Sequence, residues 1–183
     1  MIPEARLEGR RLVLRPWHPE LAPLMREALT AAWHDLQRWI PWVFPELEDI
    51  PALEARLEQY RKDFHDGGNA LYAILNTDET EVWGGAGLYR RVGPGALEIG
   101  YWVRSDRAGQ GIATEASALL VDAGFALEGI RRLEIRCDPD HVASAVIPRK
   151  LGFVHRETMT GKPESEGGDG RDTMVWVLEA PVA

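Results

Sequence analysis

Residues 107 to 116 read RAGQGIATEA and follow the apolar run EIGYWV at 98 to 103. Gly109 and Gly111 lack a Cβ, so the backbone there can take left-handed angles and another molecule can come close to it. The residues that follow open a helix, whose first N–H groups have no partner inside the helix. Those donors, with a dipole equivalent to about half a positive charge, form an anion site. Arg104 and Arg107 stand beside it in sequence and add full positive charge. The chemistry on offer is the grip of a diphosphate; the plainer reading is a tight turn with solvated donors. Two familiar phosphate loops do not fit. The P-loop needs a Lys after its last glycine, and the dinucleotide fingerprint needs a third glycine where Thr114 stands.

A second stretch, DPDHVASAVIPRKLGF at 138 to 153, sharpens the choice. VRSDRAGQGIATEA resembles the acetyl-CoA-binding motif Q/R-x-x-G-x-G/A of the GNAT superfamily of N-acetyltransferases. Ala108, Gly109, Gln110, Gly111, Ile112 and Ala113 take its six places, with Ala108 where Gln or Arg is common. The second stretch resembles the family's N-x-x-S segment followed by K-L-G-F. Ser144, Lys150, Leu151, Gly152 and Phe153 match it, and His141 stands where Asn is usual. LEGRRLVLRPW and LQRWIPW are similar to the RimJ/RimL branch, which acetylates protein N-terminal amines.

The resemblance implies transfer of an acetyl group from acetyl-CoA to a primary amine, with coenzyme A as product. It places the cofactor on the backbone from Ala108 to Thr114, on the strand end Tyr101, Trp102 and Val103, and beside His141, Ser144 and Lys150. Arg104 and Arg107 are its expected phosphate partners. The Val103 N–H is the expected donor to the thioester oxygen. Ser144 is the expected acid or hydrogen-bond donor near sulfur, or else a helix cap. A Lys side chain has a pKa about 10.4 and an α-amine about 8, so an N-terminal acceptor needs little help from a base. Glu98 is the first candidate base, directly or through water, and Glu157 the second. Trp33, Trp39 and Trp42 are expected at the acceptor pocket. The acceptor pointed to is a protein N-terminus. An aminoglycoside, polyamine or amino acid analogue stays open, as do a non-catalytic acyl-CoA-binding module and a structural protein that dimerises through this fold.

These groups need a frame. RLVLRPW (11 to 17) alternates like a strand. Leu21, Leu24, Met25 and Leu29 mark a helix, and HDLQRWIPW (34 to 42) a short aromatic helix or turn broken by Pro41. Leu53, Leu57, Tyr60 and Phe64 mark a second amphipathic helix. Three strands form a meander, at 70 to 75, 81 to 90 and 97 to 103. After the glycine turn come a helix with Ile112, Ala116, Leu120 and Leu127 on its apolar face, a strand at 131 to 137, a short helix from 143, and strands around 153 to 160 and 172 to 178. A polar loop, 161 to 170, joins the last two. The order is mixed α/β. The resemblance implies a central, mostly antiparallel twisted sheet of six to seven strands flanked by helices and splayed between the fourth and fifth.

The chain has 183 residues, with 45% hydrophobic and 27% charged. That suits one domain over residues 1–183 with a normal core. A net charge of −8 argues against nucleic acid binding and favours cationic partners. Cys137 is the one cysteine, so the chain can form neither an internal disulfide nor a thiolate cluster. No metal-ligand spacing is present, and Cys137 reads as a small buried hydrophobe while His34 and His65 read as surface residues. No signal peptide or membrane span is visible, which points to the cytoplasm. A homodimer stays open.

Overall fold

The computed structural model describes residues 2–161 and 170–181. Eight strands and four helices run in the order β1 (Leu7–Glu8), β2 (Leu12–Pro16), α1 (Ala22–Trp39), α2 (Ile50–His65), β3 (Ala70–Asn76), β4 (Val82–Tyr89), β5 (Ala96–Val103), α3 (Ile112–Phe125), β6 (Arg132–Cys137), α4 (Val142–Lys150), β7 (Val154–Met159) and β8 (Thr173–Glu179). All eight strands join one sheet, ordered β1-β2-β3-β4-β5-β6-β8-β7. Neighbours are antiparallel except β5 and β6, which are parallel.

The eighth strand is an addition to the six or seven expected. Leu7 and Glu8 pair with Leu14 and Val13 at the edge, and Leu7 is buried there. A two-residue strand has no periodicity to read. A second correction concerns residues 34 to 42. They do not form a separate short helix, because α1 runs unbroken to Trp39 and Pro41 falls beyond its end. The expected polar loop at 161 to 170 lies largely outside the described residues.

Side-chain alternation along the strands sorts the core into two layers. One face of the sheet carries Leu12, Leu14, Tyr72, Ile74, Leu97, Ile99, Leu133 and Ile135, packed against Ile112, Ala116 and Leu120 of α3. The other carries Leu71, Ala73, Leu75 and Val82 against α1 and α2, through Met25, Leu29, Leu36, Leu53 and Leu57. Asp49 caps α2, its Oδ1 accepting from the Ala52 N–H at 3.0 Å. Among the described residues, no helix is long and apolar enough to cross a membrane.

Candidate active site

The sheet opens between β5 and β6, the fourth and fifth of the strands read from sequence. Their pairing runs from Ala96↔Arg132 to Ile99↔Ile135 and stops. From there β5 stays with β4 as far as Gly84↔Val103, while β6 stays with β8 as far as Cys137↔Met174. A wedge is left between Gly100–Val103 and the end of β6. The Arg104 N–H bonds back to the Trp83 carbonyl at 2.9 Å. Strand residues alternate the side to which their N–H and C=O point, so Val103 and Tyr101 present theirs to the wedge. Trp102 presents its own to β4, and its ring packs edge-on to Phe44 at 5.9 Å. Val103 therefore has its N–H open to the wedge, whereas Trp102 supports the strand from the α1 side.

The glycine turn sits at the open end. Gly109 and Gly111 have φ of +74° and +79°, angles that L side chains rarely adopt. The Ala108 N–H is used within the turn, bonding to the Ser105 carbonyl at 3.2 Å. From Gly109 through Thr114, no N–H has a hydrogen-bond partner among the described residues; the first helical bond is Glu115 N–H to Gly111 O at 3.0 Å. This unbroken run of free donors at a helix start forms a cradle with the chemistry to hold an anion such as a diphosphate. The cradle thus begins at Gly109 rather than Ala108.

Two expected phosphate partners turn away. Arg104 is buried and gives Nε and Nη2 to Asp106 at 2.8 and 3.0 Å and Nη1 to Glu27 at 3.3 Å. Arg107 gives Nη2 to both oxygens of Glu81 at 2.9 Å. Hydrogen bonds from Trp83 and then Arg107 hold the Glu81 carboxyl below its ordinary range. Both arginines fasten the turn to α1 and β4. Arg11, which the sequence did not single out, is the cation at the cradle. Its Nη1 donates to Gln110 O at 2.9 Å, its Nε to Glu115 at 3.0 Å, and its Nη2 stands 3.3 Å from where a Cβ on Gly111 would be. Lys150 is exposed in the last turn of α4.

Ser144 lies in the first turn of α4, across the wedge from β5. It does not cap the helix, since the N-cap is His141 and no side-chain cap bond forms. Its Oγ is 3.1 Å from the Tyr101 hydroxyl, which also donates to the Ser144 carbonyl at 3.2 Å. Burial pushes the Tyr101 hydroxyl well above its ordinary range, so it stays protonated and is a standing donor to Ser144. Cys137, at the end of β6, is buried, and burial likewise raises its thiol.

His141 turns to the other side of the wedge. Its ring stacks on Trp39 with centroids 4.1 Å apart and planes 11° off parallel, joining the end of α1 to the start of α4. Arg38 covers the Trp39 ring at 4.6 Å. Trp42, just beyond α1, is 60% exposed. Trp33 is half-buried against the α1–α2 core. Burial lowers the His141 pKa from 6.5, against the opposing pull of Asp138 and Asp35. The unfolded chain therefore takes up the proton first, and stability falls as pH drops below about 6.5. A His141→Phe variant, which keeps a ring against Trp39 but cannot titrate, is expected to lose less stability between pH 7.5 and 5.5 in urea unfolding than the parent chain.

The two candidate bases sit lower on the α1 side. Glu98 is buried, and its oxygens accept from Arg91 Nη2 at 2.5 Å and Nε at 2.9 Å. Its register partner Glu134 is also buried and holds Arg136 at 2.9 Å. Val103 lies five positions beyond Glu98, about 16 Å at strand rise. Direct proton transfer beside Val103 is therefore out of Glu98's reach, and a water relay is the route left to it. Glu157, exposed on β7, lines a shallow cavity of about 260 Å³ with Glu134, Arg136 and Met159. Among the described residues, no group of three or more His, Cys, Asp or Glu is placed to hold a metal ion.

A parallel strand pair that splays over a helix-start diphosphate cradle defines a class of protein, and comparison with known proteins agrees. Residues 11–154 match the model of the acetyltransferase (GNAT) domain family, and the chain belongs to that family. It is 27% identical over 129 residues to the probable N-acetyltransferase YjcK of Bacillus subtilis, covering 69% of this chain and 70% of that protein. The fold matches RimJ of Mycobacterium smegmatis, solved with a coenzyme A disulfide, at a TM-score of 0.84 and 24% identity over 97% of this chain and 88% of that one. It matches the ribosomal-protein-S5-alanine acetyltransferase of Vibrio fischeri at 0.83 and 18% identity, over 96% and 97%. The chain is an acetyl-CoA-dependent N-acetyltransferase.

Proposed function

We propose that the chain acetylates the α-amine of a protein N-terminus. The observation that carries this reading is the placement of Glu98 and Glu157. Both lie in an arginine-lined cluster below the wedge instead of at its end. A lysine acceptor would need a strong base there; an α-amine, about a tenth neutral at pH 7, needs only a water to take its proton. The RimJ and ribosomal-protein neighbours share the fold on which such acceptors are handled, and Trp39, His141 and Trp42 offer aromatic surface beside the wedge.

Bound acetyl-CoA supplies the acetyl group as a thioester. The donors from Gly109 to Thr114, with Arg11 beside them, hold its diphosphate. The Val103 N–H donates to the oxygen that gains charge as the amine attacks, a contribution worth roughly 3 kcal/mol for one such donor. Ser144, its Oγ in contact with the Tyr101 hydroxyl, donates to the departing sulfur. Removing that hydroxyl in Ser144→Ala is expected to lower kcat about tenfold or more while KM for acetyl-CoA stays within about twofold.

The test is a thiol-release screen of peptides, polyamines and aminoglycosides. Turnover is expected with free peptide N-termini and lost when those are blocked. Turnover confined to polyamines or aminoglycosides would overturn the acceptor, and acetyl-CoA binding without turnover of any amine would leave a binding module.

A further inference from the structure

β7 is the outer strand of the sheet, pairs with β8 alone among the described residues, and exposes all six of its side chains. Two of them are large and apolar: Val154 is 69% exposed and Met159 38%. An edge strand of this kind offers an unpaired backbone to another strand.

The register with β8 shifts between His155 and Glu157, which makes Arg156 an extra residue. The shift decides which side chains share a face. Val154, Glu157 and Met159 lie opposite Val177, Val175 and Thr173, and Arg156 reaches Glu179 at 3.5 Å, so these four stand on one face of the sheet. His155 packs on Trp176 at 5.0 Å and shares a hydrogen bond with Thr158 at 3.1 Å, on the other face. The order of faces is therefore the same read forwards or backwards about the midpoint of Arg156 and Glu157.

That symmetry has a consequence for pairing. Turn a second copy about a two-fold axis through that midpoint and perpendicular to the sheet. Val154 then meets Met159 of the second copy, His155 meets Thr158, and Arg156 meets Glu157. Every pair falls on a common face. A strand that alternated without the shift would set opposite faces against each other in this register. The contact is self-complementary in charge and in apolar surface, as a two-fold interface must be.

We propose that the chain associates with a second copy of itself through antiparallel pairing of β7, with Arg156–Glu157 ion pairs on either side of the axis. The exposed Val154 and Met159 would cover one another at the two ends of the seam.

Sedimentation equilibrium on the full chain at micromolar concentrations tests this. The parent chain is expected at twice the chain mass. Arg156→Glu and Glu157→Arg, made singly, set like charges opposite each other twice and are expected to raise the dissociation constant about 100-fold. Made together they recreate both pairs with the signs exchanged, and the constant is expected to return to within about threefold of the parent. Val154→Lys, an exposed change away from the charges, is expected to dissociate the pair as well. A parent chain at the mass of one copy would overturn the proposal. So would single reversals that leave the mass unchanged, or a folded double variant (checked by its circular dichroism melt) that fails to recover.

Discussion

Gly109→Asp is expected to weaken acetyl-CoA binding about 100-fold, or about 2.7 kcal/mol, with only a small change in melting temperature. The reasons are geometric and electrostatic. Gly109 has φ +74°, and a Cβ there would meet nothing within 4 Å. Asp tolerates the left-handed region better than most residues, so the turn can survive the change. Its carboxylate then lies among the free donors from Gly109 to Thr114. It satisfies some of them and repels the diphosphate, at about 4 kcal/mol for unit charges 4 Å apart in a medium of effective dielectric about 20. Gly109→Asn has the same shape without the charge and is expected to lose only a few-fold. Isothermal titration with acetyl-CoA separates the two. Equal losses in both variants would mean that the turn's conformation matters and its charge preference does not.

Gly84→Ala is expected to destabilise the fold by about 3 kcal/mol, lowering the melting temperature by about 6–12 °C. A Cβ at Gly84 would collide with the Trp102 carbonyl oxygen and come within 2.9 Å of the Val103 Cα. Both neighbours are backbone, so neither can swing aside. β4 must move away from β5 at its last pair, Gly84↔Val103. The same displacement moves the Val103 N–H, so the surviving folded fraction is expected to show a lowered kcat. Calorimetry and turnover on one sample check both halves. A variant that melts like the parent would show that β4 and β5 are less tightly joined than the register implies.

The parts of this site that were legible in the sequence are those carried by local pattern. The glycine pair, the strand before it and the helix after it are one continuous signal, and Ser144 follows from a second. What failed was the direction of side chains. Arg104 and Arg107 sit beside the turn in sequence, yet Glu27, Glu81 and Asp106 draw them underneath it. Arg11 comes to the cradle from 99 positions away, a juxtaposition that only the sheet creates. The Tyr101–Ser144 contact likewise joins a strand to a helix across the wedge. Glu98 was read on the correct strand, but its bidentate pairing with Arg91 depends on the preceding turn. That β5 parts from β6 after Ile99 is a fact of pairing, and the alternation within LEIGYWV continues past that point unchanged.

Free main-chain donors at the start of α3 are expected to hold a diphosphate and so set a thioester against Val103. A crystal structure of the chain with acetyl-CoA tests it most directly. The diphosphate oxygens should lie within hydrogen-bond distance of the N–H groups between Gly109 and Thr114, with the thioester oxygen facing the Val103 N–H in the wedge. A diphosphate bound away from those donors, with the turn left to solvent, would contradict it.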